Sequence, residues 1–354
     1  MQSESKKFLY KLLNTPSPSG YEQRIQRVVR TRMSKYADTI ETDLHGNVIV
    51  GVNTRAKLRV MLAGHCDQIG FMVTHISEKG FIYVAPLGGI DTGVLPGSHV
   101  TIFTEKGEIK GVIGRKPIHL QSEQERGRAK IEIGDVWIDV GAKSRKEIEK
   151  IVQIGDPATF TLGITELRNG MVASPGLDDK VGLFVAMEAL RLCAKANISV
   201  ALYAVSTVQE EVGLRGARTA AYGIDPTVGI AIDVTHAFDN PGGERKRAAS
   251  IALGKGPCVV RGPNVNPVVE KRLIAAAKKA KIAYQLEPNS RPLSNDANAL
   301  QVNRAGVAAA SIGIPNRYMH TQSEVCSLKD LEDAAKMLAE FVKQLGAKSD
   351  FRPK

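Results

Sequence analysis

The sequence is poor in cysteine and in aromatic rings, and it has no long apolar run. Its four cysteines, Cys66, Cys193, Cys258 and Cys326, are scattered over 354 residues with no CxxC pair. That excludes a disulfide-built scaffold and a cysteine-ligated zinc site, and it predicts a reduced, cytoplasmic protein. No uninterrupted apolar stretch reaches the roughly 18 residues of a spanning helix, so no membrane partner is expected. The opening segment MQSESKKFLYKLLN carries lysines but no apolar h-region or small-residue cleavage site, which argues against a secretory signal. Aromatics make up 5% with a single tryptophan, leaving few platforms on which sugar rings could stack.

What is present is an ordinary globular composition, 43% apolar and 24% charged, enough for one large domain or two unequal ones. The net charge is +11, but the positive residues are dispersed. The densest runs, Arg245-Lys246-Arg247 and Lys278 to Lys281, form no basic tail and have no interleaved aromatics. A nucleic-acid partner is therefore not expected.

Strand-length apolar runs alternate with helical patterns in two separated blocks. The first holds a helix-like stretch from Glu22 to Met33, a short strand from Gly46 to Val52 and the buried strand LRVMLA from Leu58 to Ala63. The second gives helices at 180–194, 214–222, 267–280 and 327–345, and strands at 198–206, 227–233, 250–253 and 307–312. Ser327 is placed to cap the last helix, with Asp330 three residues on. This alternation predicts an α/β protein with a helix-flanked, mostly parallel sheet. Between the blocks the texture changes to short β-like runs (FMVTHI, GFIYVAPLGG, HVTIFT, IKGVIG, DVWIDVG, ATFTL) split by glycine, proline and charged turns. That pattern predicts a small all-β domain at 71–164, inserted into a larger domain made of 1–70 and 165–354. Inside it, Gln121 to Lys130 reads as an exposed polar loop.

Polar clusters follow the apolar strands at the positions where open α/β sheets bind ligands. Gly64-His65-Cys66-Asp67 follows RVMLA, and His65 and Asp67, two apart, share a side of an extended chain. An acid there can accept the spare imidazole N–H and free the other nitrogen for a metal, although a structural His–Asp pair would look the same. Asp178 and Asp179 open a helix; the helix dipole accounts for one aspartate more readily than for two. Glu210 and Glu211 follow the strand SVALYAVS, where adjacent like charges raise a pKa or call for a cation unless the loop is simply exposed. Asp233 ends another strand and His320 precedes the last helix, with His236 as a rival ligand; singly, such residues are more often turn or loop groups. Together, two histidines and several carboxylates without cysteine suit a hard or borderline divalent ion.

The segments GHCDQIGFMV, LDDKVG, VQEEVGLRGA, AIDVTHA with GKGP, and RYMHTQSEV resemble, in this order, the glutamyl and tetrahedral (TET-type) aminopeptidases. The likeness runs from Ser19-Gly20-Tyr21-Glu22 to the final helix and includes PLGGID and VLPG. These are di-metal exopeptidases with a zinc-exopeptidase-like fold, some of whose relatives carry an endoglucanase label. The resemblance implies that Asp178 bridges two metals, that His65 and Asp233 complete one, and that Glu211 and His320 complete the other. It further implies Glu210 as general base, Asp67 as the residue orienting His65, a cis Asp178–Asp179 peptide, and zinc or cobalt as the pair of ions. His236 has no place in that pattern. Peptides are the implied substrates, and the inserted domain implies a homo-oligomer, a dimer or a twelve-subunit shell. Gln68 departs from the family, which often has glutamate there. Deacylases and carboxypeptidases share this metal chemistry, and paired carboxylates could serve a glycosidase; for the latter the histidines would have no purpose.

Overall fold

The apolar runs of the two blocks become the inner strands of one 11-stranded sheet in the computed structural model, which describes residues 1–126, 130–243 and 250–353. Four strands run parallel side by side: Ala201–Thr207, Arg59–His65, Val228–His236 and Ala308–Arg317. They are buried on both faces, which is why they read as continuous apolar runs rather than alternating ones. Antiparallel strands extend the sheet, Val48–Val52 and Thr39–Thr42 on one side, Glu324–Ser327, Met171–Ser174 and Thr165–Glu166 on the other.

The predicted helices form as Gln23–Met33, Leu177–Cys193, Arg215–Ile224, Pro267–Lys279 and Leu328–Lys343, and Ser3–Leu13 adds one more. Leu177–Cys193 is buried almost all round, packed against the strand Arg59–His65 and the helix Leu328–Lys343. Its approach to the strand is close enough that a Cβ on Gly64 would stand 2.4 Å from the Gly182 backbone. Glycine at 64 is therefore what lets this helix, and Asp178 at its start, sit directly over His65.

The strand expected at 250–253 does not form. Gly254 and Gly256 take φ of 74 and 93° and donate their amides to the Asp330 carboxylate at 2.7 and 2.8 Å, wrapping the chain into a turn about a buried acid. The strand starts later, at Cys258–Arg261, pairing with Gln285–Pro288 and with Ala308–Arg317. Asp330 is thereby drawn away from helix capping, and Ser327 alone accepts from the Lys329 amide at 3.3 Å.

Between His65 and Thr165 the chain leaves the sheet. Gly70–Ile76, Ile82–Leu87, His99–Thr104, Gly107–Arg115, Val136–Asp139 and Pro157–Phe160 close an antiparallel barrel, one strand for each of the six β-like runs. Its apolar core is separate from that of the sheet and includes Phe71 and Phe160, edge to face at 5.5 Å. Within the polar segment after Gln121, Glu123–Arg126 forms one helical turn. Residues 127–129 and the Arg245-Lys246-Arg247 run lie outside the described residues.

Candidate metal centre

Strand register and two tight turns bring the candidate residues together. His65 ends its strand opposite Thr207, and the chain beyond Thr207 turns back through Gln209 at φ 55° before Glu210 and Glu211. Asp233 lies level with Gly313 on the adjacent parallel strand. His320, at φ 62°, lies in the turn beyond Arg317. Asp178 enters from the first turn of the buried helix, and its peptide bond to Asp179 is cis.

His65 Nε2 stands 3.1 Å from Asp178 Oδ1 and 3.8 Å from Asp233 Oδ1. His320 Nε2 stands 3.1 Å from the other Asp178 oxygen and 3.6 Å from Glu211 Oε2. The structure thus makes two trios, His65–Asp178–Asp233 and Asp178–Glu211–His320, each offering three ligand atoms within 4.8 Å of one another. Glu210 belongs to neither trio, and its Oε2 lies 3.8 Å from His65 Nε2. His236 lies exposed on the wall of the same cleft, of about 530 Å³, and is in neither trio.

This donor set fits divalent cations on its chemistry: imidazole nitrogens and carboxylate oxygens, no thiol, with one carboxylate facing both histidines. Glu211 Oε1 is also buried without a hydrogen-bond partner among the described residues, a lone acceptor where a ligand is wanted. The electrostatics point the same way. Burial, with neighbouring carboxylates adding to it, pushes Glu210 up to about 10 and Asp233 up to about 8, and raises Glu211 well above the usual range. Burial would raise Asp178 as well, but hydrogen bonds with His320 and His65 hold it below the ordinary carboxylate range. Burial alone would lower His65; the Glu210 charge and the hydrogen bonds to Asp178 and Asp67 lift it well above the ordinary imidazole value. Protons are retained here on groups from which a cation would displace them.

Asp67 does more than orient His65. Its backbone carbonyl, 3.0 Å from Nδ1, is closer to the ring than its carboxylate oxygen at 3.4 Å. The carboxylate chiefly accepts from the Glu210 and Glu211 amides, at 3.0 and 3.2 Å, and from the Ser19 hydroxyl at 2.6 Å. It therefore ties the glutamate pair to the histidine strand.

Sequence reasoning gave no supporting role to several buried acids around the trios. Glu324 accepts from the Asp178 amide at 2.8 Å and from the His320 amide at 3.0 Å, holding both from behind. Asp179 accepts from the His65 amide at 3.2 Å, and Asp296 from the Thr207 hydroxyl at 2.7 Å. Glu22 accepts from the Gln209 amide at 3.2 Å. An acid four residues after His320 within RYMHTQSEV was the one available signal for Glu324; Asp296, in SNDANAL, had none beyond a helix start. Gln68 is in neither trio; its side-chain oxygen accepts from the buried Lys180 ammonium, which also donates to the Thr15 carbonyl at 2.9 Å. Burial pushes Lys180 down to about 7, and the neutral amide of Gln68 supplies a dipole where glutamate would supply a charge.

No helix among the described residues is long and apolar enough to cross a membrane. Comparison with known proteins places this geometry. A family model described as M42 glutamyl aminopeptidase matches residues 46–337. A lysyl aminopeptidase of Pyrococcus furiosus is 40% identical over 345 residues, 97% of this chain and 98% of its own length. Among solved structures, a TET aminopeptidase from a marine sediment archaeon of the Thaumarchaeota superposes with a TM-score of 0.92 at 35% identity, covering 97% of each chain. The Pyrococcus horikoshii TET1 peptidase, which can assemble into a tetrahedron or a large octahedral shell, superposes at 0.86 with 30% identity, covering 96% of this chain and 100% of its own. With the fold, the motifs and nearly the full length in agreement, the chain belongs to the M42 glutamyl aminopeptidase family of peptide hydrolases.

Proposed function

We propose that the chain is a di-metal aminopeptidase that removes N-terminal residues from peptides. The observation that carries this reading is the pair of trios sharing Asp178, whose two oxygens face the two histidines. In it, His65, Asp178 and Asp233 hold one divalent ion, Asp178, Glu211 and His320 hold a second, and zinc or cobalt suits both sets. Ions bound there supply Lewis acidity toward the peptide carbonyl and lower the pKa of water.

The remaining chemistry belongs to the protein. Glu210, fixed through its own amide by Asp67, takes a proton from the attacking water at its carboxylate and delivers it to the departing amine. Burial keeps its pKa high, and positive charge nearby lowers it toward the working range of a base. The carboxylates lining the cleft favour the free α-ammonium of a peptide, which accounts for cleavage at chain ends. His65 donates Nδ1–H to the Asp67 carbonyl and so keeps Nε2 as a lone-pair donor. The barrel region, 71–164, serves assembly into a homo-oligomer, a dimer or a dodecamer, while 1–70 and 165–354 carry the chemistry. The four cysteines are free and buried, consistent with a cytoplasmic setting.

The test is a panel of aminoacyl-p-nitroanilides and short peptides offered to chelator-treated protein before and after reloading with zinc, cobalt or manganese. Cleavage from the N-terminus that returns with metal is expected. Cleavage equally fast in chelator, or none with any ion, overturns the reading. The names of the relatives span lysyl and glutamyl activities, so they do not choose the N-terminal residue.

A further inference from the structure

The barrel carries a basic pocket that the metal centre does not use. Arg115, Lys116, Arg126, Lys130, Asp135 and Trp137 are among the residues lining a cavity of about 310 Å³. It lies on the outer wall: Val136 and Ile138 belong to the barrel core, so Trp137 between them faces outward. Four cations there face one acid, and Asp135 already accepts from the Glu132 amide at 3.1 Å. Arg115 and Lys130 make no ion pair among the described residues, and Arg126 gives its Nε–H to the Gln121 carbonyl at 3.1 Å. The Trp137 indole lies against Gly114, where a Cβ would stand 3.1 Å from Nε1, and its N–H meets no acceptor among the described residues. Lys116, Arg126 and Lys130 are exposed and Arg115 and Trp137 half-buried, so these donors are open to a ligand. Like charges around one cavity repel, and an anion between them relieves the repulsion.

The pocket is tied to the loop that covers the metal centre. Ile82–Leu87 pairs antiparallel with Val136–Asp139, and the helical turn Ile133–Asp135 packs on the same strand. Beyond that strand a Cβ on Gly89 would come within 3.4 Å of His320 Nδ1. Three residues later the Thr92 hydroxyl donates to the carbonyl of Ile131, a wall residue of the pocket, at 2.5 Å. Three residues span at most about 11 Å, so this wall stands no more than roughly 20 Å from His320. An extended peptide rises about 3.3 Å per residue and covers that distance in about six.

We propose that this pocket binds a carboxylate of the substrate peptide, its C-terminus or an acidic side chain, about four to six residues along. The inference rests on the aminopeptidase reading, which puts the peptide's α-ammonium at the trios. The two ends of a short peptide then meet opposite charges. The cleft is lined by acids with neither lysine nor arginine among the described residues, and the barrel pocket by four cations.

Alanine-rich peptides of two to eight residues, headed by the residue the nitroanilide panel favours, test this as free acids and as C-terminal amides. Their kcat and KM are to be measured with zinc-loaded protein, and their binding by calorimetry with zinc-loaded Glu210→Gln protein, which does not turn them over. Charge-assisted contacts in a half-open pocket should favour the hexapeptide acid over its amide about 3- to 30-fold, through KM, and dipeptides not at all. Arg115→Gln with Lys130→Gln should bring that ratio close to one. The same double variant should cleave the short nitroanilide at the wild-type rate, which also reports an intact fold. A glutamate placed four to six residues along the amide that restores the gain assigns the pocket to side chains as well; without restoration it takes the C-terminus alone. Equal use of hexapeptide acid and amide overturns the proposal, as does a preference that survives in the double variant or is as large for dipeptides. Nitroanilide cleavage without any acid preference would leave the aminopeptidase reading standing and remove this inference. Acid-dependent binding lost in the double variant, with nothing cleaved by the wild type, would do the opposite.

Discussion

The carboxyl edge of the sheet and the interior of the barrel bury opposite kinds of side chain. At the edge, Asp67, Asp178, Asp179, Glu210, Asp233 and Glu324 are all more than nine-tenths buried. In the barrel the same degree of burial falls on Phe71, Val100, Ile102, Ile138 and Phe160. An apolar interior stabilises itself by leaving water. A buried acid does so only where amides, imidazoles or cations answer it. Here Asp67 receives two amides and a hydroxyl and Glu324 two amides, while Glu211 keeps an unanswered oxygen. The edge is thus built to be completed by something else, whereas the apolar interior of the barrel needs no added group to be stable. The barrel meets the edge at the loop after Ile82–Leu87, where a Cβ on Gly88 would come within 3.1 Å of Glu211 Oε2 and one on Gly89 within 3.4 Å of His320 Nδ1.

If the contrast is real, damage at the edge should cost function and damage in the barrel should cost stability. The largest expected effect is that of Glu210→Gln, which keeps shape but removes the base. Turnover should fall by about two to four orders of magnitude, with both ions retained by elemental analysis. Loss of metal with Glu210→Gln would instead make Glu210 a ligand. Phe160→Ala should lower unfolding stability by about 3–5 kcal/mol in urea titrations, the usual cost of emptying an aromatic site. Molecules that remain folded should cleave a short nitroanilide at the wild-type rate; a large loss would show that the barrel also shapes the centre.

A smaller effect is expected one layer behind the ligands. Glu324 holds the amides of Asp178 and His320, one from each side of the second trio. Glu324→Gln can accept only one of these bonds well, since its amide nitrogen is a donor. Metal affinity should weaken by about 10- to 100-fold, as is usual for such supporting groups, and excess metal should restore activity. Unchanged affinity in a competition titration would mean that the backbone alone fixes the ligands.

The two regions also differed in how readily the sequence disclosed them. Each barrel strand announces itself through a local run and a turn, because strands of a small barrel carry their own pattern. The inner sheet was equally legible from continuous apolar runs such as Leu58 to Ala63. The residues of the two trios were visible because each follows a strand or starts a helix, and the resemblance joined them. The supporting acids were not, because their value lies in partners far along the chain. Glu324 and Asp178 are 146 residues apart, and Asp296 and Thr207 are 89 apart. The strand misplaced at 250–253 has the same origin: Asp330, 74 residues beyond Gly256, bends that segment away from extension.

The smallest effect separates the regions by pH. Glu22 is buried at the edge, accepting from the Gly20 and Gln209 amides at 2.7 and 3.2 Å. Burial, and then the charge of Asp67, push it up to about 7 from an ordinary 4.5. A folded pKa above the unfolded one means that the native state holds the proton more tightly. The stability it contributes is fully present below about 4.5 and is lost as pH rises through about 7. In metal-free protein this group should add a negative slope of up to about 1.4 kcal/mol per pH unit inside that window. Glu22→Gln, which is neutral at every pH, should flatten the curve by that amount. Phe160→Ala should lower the whole curve without changing its slope, because no titrating group is involved. Urea midpoints taken at half-unit intervals would show it. Should Glu22→Gln keep the wild-type slope, Glu22 is ionised in the native state, and the edge compensates its buried charge more completely than its hydrogen bonds indicate.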